Sequence, residues 1–134
     1  MSYPFEGDWT LIPELSHCDE GAPPASGRYR ISVEGRELTL LIDWEDADGA
    51  AHHVAFTGLA DGAVREAGEE GMKASFHIKD DCQLISHAYN SGLEVSYAHR
   101  RASRDGTILN VLQFHNRPDG TRSMRLQTYR RTQS

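Results

Sequence analysis

The chain lacks long apolar runs, runs of cations and all but two cysteines, and each shortage removes a class of protein. No apolar stretch approaches the roughly 18 residues that a membrane-spanning helix needs. Met1 to Glu6 has neither the basic start nor the apolar stretch of a signal peptide, so a cytoplasmic location is expected. In that setting Cys18 and Cys82, far apart in the chain, are expected as two reduced thiols rather than a bridge. Asp and Glu number 20 against 14 Lys and Arg, a formal charge of -6, and no basic stripe runs along the sequence. Phosphate backbones are bound through such stripes, so nucleic acid is not an expected partner, and neither is an anionic membrane surface.

Catalytic and metal-binding signatures are missing as well. There is no Gly-x-Ser-x-Gly and no serine or cysteine in a recognised nucleophile setting. Gly68 and Gly71 lack the lysine and the following helix of a phosphate loop. Glu69-Glu70 and Asp80-Asp81 fall in predicted turns and read as solvated charges. No His-x-His pair places two imidazoles on one face of a strand, and the cysteines have no paired spacing, so no metal and no cofactor is expected. Nothing in the sequence requires an enzyme.

What the sequence does have is alternation. Its 134 residues are 38 % hydrophobic and 25 % charged, an ordinary balance for one folded domain, residues 1–134. Tyr29, Ile31 and Val33 alternate with polar residues, then Leu38, Leu40, Ile42 and Trp44, then His52, Val54 and Phe56. Glu34-Gly35 and Ala47-Asp48-Gly49 separate them as turns. A two-residue loop at the first pairs Ile31 with Leu38. A three-residue loop at the second pairs Trp44 with His52 and Ile42 with Val54. Both loops keep the apolar set on one face, and a one-residue slip would not.

Residues 59–71 are the least patterned stretch and read as a loop with a short strand. Alternation returns with Ala74, Phe76 and Ile78, then Gln83, Ile85, His87 and Tyr89. A three-residue loop at Asn90-Ser91-Gly92 pairs His87 with Val95 and Ile85 with Tyr97. Strands over 107–115 and 121–131 finish the chain, and their faces are ambiguous. A three-residue loop at Arg104-Asp105-Gly106 puts Leu109 and Val111 on the face of Tyr97; a two-residue loop puts Ile108 and Leu112 there instead. The losing set forms an outer apolar stripe, a candidate homodimer contact through Ile108, Leu112 and Phe114.

About nine strands joined in order by tight turns, with no room for crossover helices, make an all-β, antiparallel up-and-down meander. Such a meander removes its open edges by closing into a barrel. A barrel of about eight strands is wide enough either to fill with side chains or to hold one small ligand.

The first strand adds a motif. Gly7-Asp8-Trp9, continued by Leu11, Pro13 and Ser16, resembles the Gly-x-Trp opening of lipocalins and their calycin relatives, in particular small bacterial lipocalin-like proteins. The resemblance implies a lipocalin-like barrel of roughly eight to ten strands. It also implies that Trp9 packs across the closed end beneath a cation from the last strand, Arg130 or Arg131 according to register. Fatty-acid-binding relatives carry a two-helix lid, and residues 13–27 are too short and too rich in Pro and Gly for one. They also hold a carboxylate with an Arg-x-Tyr in the last strand; here Arg125 and Tyr129 are four apart.

The leading expectation is therefore a binding module for a small apolar or amphipathic molecule. Its wall would comprise Tyr29, Leu40, Ile42, Trp44, Val54, Phe56, Phe76, Ile85 and Val95. His87, Tyr89, Tyr97 and His99 would meet the ligand's polar end. The alternatives are an interaction protein with a filled barrel and, by resemblance, a calycin-type isomerase or haem protein.

Overall fold

Turn chemistry decides the registers of the computed structural model, which describes residues 3–19, 21–66 and 71–132. Strands β3 (Ser26–Glu34) and β4 (Glu37–Glu45) join through Gly35-Arg36, one residue later than expected. Gly35 takes φ +66 as the first of two loop residues, the position where such a hairpin needs a left-handed backbone. The pairing becomes Ile31 with Leu40 and Tyr29 with Ile42. Moving a turn by one residue shifts partners by two, so the faces are unchanged. The loop to β5 (Ala51–Leu59) pairs Trp44 with His52 and Ile42 with Val54, as the sequence predicts.

The next hairpin departs from expectation. Strands β7 (Met72–Asp80), β8 (Gln83–Asn90) and β9 (Leu93–Ala102) follow the short β6 (Arg65–Glu66). Between β8 and β9 the turn is Ser91-Gly92, both at positive φ, not Asn90-Ser91-Gly92. Val95 is then the extra residue of a bulge, and beyond it His87 faces Tyr97 and Ile85 faces His99. Strands β10 (Ile108–Asn116) and β11 (Arg122–Arg131) complete the meander, with Leu112 opposite His99 and Phe114 opposite Tyr97.

Chain order and sheet order agree from β3 to β5 and from β6 to β11. Strand β1 (Gly7–Leu11) bridges the two blocks, pairing with β3 on one side and β11 on the other. A 3-10 turn (Pro13–Leu15) and β2 (His17–Cys18) carry the chain further along β11. The result is ten antiparallel up-and-down strands curled into a near-closed barrel. It is incomplete at one seam, between β5 and β7. There an Asp61–His77 bridge and the Gly62 amide on the Phe76 carbonyl, at 2.8 Å, make the join. Gly58 allows it: a β-carbon there would sit 3.1 Å from the Phe76 ring. The loop expected over 63–70 contains β6, and its residues 67–70 lie outside the described residues.

One end of the barrel is sealed. Phe5 and Trp9 are fully buried, and the indole N–H donates to the Phe5 carbonyl at 2.9 Å. Arg131, paired with Trp9 across β1 and β11, lays its guanidinium 4.2 Å from the indole centroid. It also donates to the carbonyls of Pro4, Glu6 and Gly106. Four attractions, one cation–π and three charge-assisted hydrogen bonds, thus tie the first and last strands to one side chain. Gly7 has φ +113, and a β-carbon there would overlap the Arg131 guanidinium, so the motif's glycine makes room for its own cap. Arg130 is exposed on the opposite face.

Candidate functional site

Above the Trp9 floor the barrel is not filled by its own side chains. A cavity of about 280 Å³ remains, near the lower end of the roughly 300–1,000 Å³ common for ligand pockets. A filled barrel is therefore not what this sequence makes.

The cavity has two unlike walls. Strands β4, β5 and β7 supply Leu40, Ile42, Val54, Phe56 and Phe76, with Trp44 toward the open end. Trp44 stacks on His52, ring centroids 4.9 Å apart, and His52 is held by Asp46 at 2.6 Å. Strands β8 to β11 supply small and polar groups instead: Ser86, Ala98, Arg100, Gln113, Gln127 and Tyr129. Because the last strand is regular, Arg125, Gln127 and Tyr129 share the inner face and all border the cavity.

Arg100 is the central polar group. It is 7 % exposed, and its Nε donates to the Tyr29 hydroxyl at 2.6 Å. Its Nη1 donates to Ser86 Oγ at 2.9 Å, and the guanidinium sits 5.8 Å from the Tyr29 ring centroid. Among the described residues no carboxylate pairs with it. Tyr129 packs edge-on against Tyr29 and donates to Gln127 Oε1 at 3.2 Å. Burial pushes the Tyr129 hydroxyl far above the usual tyrosine range, with Tyr29 adding to the shift, so it stays a neutral donor. The site thus offers one buried cation and neutral hydrogen-bonding groups beside an apolar wall.

The structure divides the residues singled out from sequence. Tyr29, Leu40, Ile42, Trp44, Val54, Phe56 and Phe76 lie on the cavity wall. Ile85, Tyr89, Tyr97 and His99 do not. They face outward, because the inner set of β8 and β9 is Leu84, Ser86 and Ala88 with Ser96, Ala98 and Arg100. His87 borders the cavity, yet its ring lies 5.0 Å from Tyr97 and stacks with Tyr89 on the outer face, where Glu94 holds it at 2.7 Å. Val95, in the bulge, is also off the wall. Leu109 and Val111 are buried inward. Ile108, Leu112 and Phe114 go outward with Tyr97 and His99, half-buried by one another and their neighbours.

Arg100 was not legible from composition, but one signal announces it. Successive strand residues face opposite sides, so Arg100-Arg101 must send one arginine inward whichever register holds. Among the described residues no three His, Cys, Asp or Glu side chains converge on a metal site. Cys18 and Cys82 are both free thiols.

No family model matches the chain, and no curated protein matches it in sequence. Solved structures do match its fold. Secretory abundant heat soluble protein 4 from Ramazzottius varieornatus superposes with a TM-score of 0.67, covering 99 % of this chain and 98 % of its own at 13 % identity. The zebrafish ileal bile acid-binding protein, solved with cholic acid, superposes with a TM-score of 0.62. That match covers 96 % of this chain and 99 % of that one at 14 % identity. These neighbours are calycin-superfamily proteins, and at such identities the likeness is one of fold.

Proposed function

We propose that this protein binds a small amphipathic anion inside its barrel. The apolar body of the ligand lies against Ile42, Val54, Phe56 and Phe76. Its carboxylate, or an equivalent acid group, meets Arg100 with Gln127 and Tyr129 nearby.

The observation that carries this reading is the buried guanidinium without a carboxylate. Taking a charge out of water costs several kcal/mol unless it is paired. Here the compensation from protein is one phenol and one hydroxyl. A ligand acid completes the pair in a cavity from which much water is excluded, where a charge-assisted bond is strongest. The shared fold with a protein solved with cholic acid, itself a carboxylic acid with an apolar body, points the same way.

The test is a pair of matched ligands. Titration with a long-chain fatty acid and with the corresponding alcohol reads the head-group term directly. The acid is expected to bind roughly 10- to 100-fold tighter, the span of a hydrogen bond to a charged group. Arg100→Met is expected to erase that preference while keeping the alcohol's affinity. Equal affinity for acid and alcohol in the unaltered protein would sink the proposal.

A further inference from the structure

Charge is unevenly divided along the chain. Residues 1–71 hold 15 of the 20 acidic side chains and 4 of the 14 basic ones; residues 72–134 hold 5 and 10. The second block is β7 to β11. Its outer face carries two cross-strand apolar rows, Ile85–His99–Leu112–Leu126 and His87–Tyr97–Phe114–Met124. The rings touch along the second row: Tyr97 and Phe114 lie 6.2 Å apart, and the Arg122 guanidinium lies 5.0 Å from the Phe114 centroid.

Cations rim these rows. Lys73, Lys79, Arg101, Arg122 and Arg130 are exposed around them. Within this block Glu94, beside the rows, is held by His87, and the other four carboxylates sit in turns or at strand ends; from the first block Asp19 reaches the Met124 amide at 2.9 Å and Glu66 lies opposite Lys73. The local field is registered by His99: burial, then Lys79 and Arg101, hold its pKa below the usual histidine value. Beside the Ser91-Gly92 turn Leu93, the first residue of β9, is 73 % exposed; it alternates with the outward Glu94 and so edges the barrel mouth next to this face. That turn lies at the open end of the barrel, away from Trp9 and next to the wall residues Ala88 and Ser96.

We infer that this face docks on an anionic lipid surface, with Leu93 leading and the cationic rim against the head groups. Aromatic rings and long cationic side chains around an apolar centre are the composition that suits a membrane interface. Each Lys or Arg brought near such a surface contributes about 1 kcal/mol, roughly a fivefold gain in affinity. The net charge of -6 does not oppose this. The exposed carboxylates of β3 and β4 lie on the other half of the barrel, and at physiological salt their field fades within about 8 Å. The absence of a basic run in the sequence does not exclude such a surface, because strand pairing gathers cations that the chain order scatters.

The experiment is flotation of the full chain with vesicles of phosphatidylcholine alone and with about one-third phosphatidylserine. Binding to the anionic vesicles alone is expected, falling as salt rises. Leu93→Ser, at an exposed strand end, is expected to lose roughly tenfold in binding. Lys73→Gln with Arg101→Gln is expected to lose roughly 25-fold. Leu59→Ser, an exposed leucine on β5, is the control and leaves binding unchanged. No flotation, equal flotation with both vesicle types, or equal losses at Leu93 and Leu59 would each overturn the inference. So would a dimer in solution that Leu93→Ser dissolves without any vesicle binding, which assigns the face to a second copy. No cargo is added, so this result stands apart from the carboxylate preference of the cavity.

Discussion

The two blocks of the barrel invert each other. In β3 to β5 the apolar residues point in and the charged ones point out, with Leu38 and Leu40 buried at 1 % and Glu34, Glu37 and Asp43 exposed. In β8 and β9 Leu84 alone of the large apolar side chains is buried in the core; beyond it Ile85, Tyr89, Tyr97 and His99 point out, and serine, alanine and arginine point in. Alternation is equally clear in both. The lesson is that period two reports two faces but does not say which one is the interior. A filled core wants the bulky face inside. A cavity that takes a polar ligand end wants the small and polar face inside, which leaves the bulky residues on the surface.

Four measurements break or sharpen this comparison, taken from the largest effect to the smallest. Leu40→Ala, in the inward row of β4, is expected to cost about 2–5 kcal/mol in denaturant unfolding. Leu112→Ala, its apolar counterpart on the outer face, is expected to cost no more than about 1.5 kcal/mol. Similar costs would show that the outer face is a second core. At the shared floor, Gly7→Ala is expected to cost about 1–3 kcal/mol, from a strained φ and a displaced Arg131. Thermal unfolding reads it, and a wild-type melting temperature would remove Arg131 from the account of closure.

Arg100→Met tests the polar wall. The apo protein is expected to keep its stability or gain up to about 1 kcal/mol, since a buried cation is exchanged for an apolar side chain of similar length. Marked destabilisation would mean that the Tyr29 and Ser86 bonds hold the barrel together and that Arg100 is structural. The smallest effect is in acid. Hydroxyl and amide bonds from Ser103 and Thr107 lower the Asp105 pKa, and bonds from Thr121 lower that of Asp119. A carboxylate depressed in the folded state stabilises above its unfolded pKa and loses that contribution as pH falls through the folded value. Stability is therefore expected to fall slightly as pH drops through about 6.5, where the unfolded chain protonates His99 before the folded one, and to decline again below about 4 as the carboxylates protonate. Denaturant unfolding across pH checks this: His99→Gln is expected to remove the upper step and keep the lower one, and an unchanged upper step would take His99 out of the account.

How far the sequence reaches follows from the same contrast. The Trp44–His52 register is legible because Ala47-Asp48-Gly49 specifies one loop length and the flanking apolar rows agree with it. The β8–β9 register is not, since Asn90-Ser91-Gly92 fits both a three-residue loop and a two-residue turn plus bulge, and only packing selects the second. The inner wall of β8 to β11 escapes a hydrophobic pattern because it is built from residues that usually mark the surface. The choice between Arg130 and Arg131 waits on register, and pairing Arg131 with Trp9 makes it.

The clasp between first and last strands also bears on how the chain assembles. β1 pairs with β11 across nearly the full length of the sequence, and Thr10 and Thr132 join their hydroxyls at 2.7 Å. Contacts so distant along the chain form late and slowly, after the local hairpins are in place. Because the two ends lie side by side, a permuted chain can join residue 132 to residue 3 through a short linker and open instead at the exposed Ala63, beside the seam. Every named ladder survives that rearrangement, and the slowest pairing becomes a local one, so the permutant is expected to reach the same barrel faster.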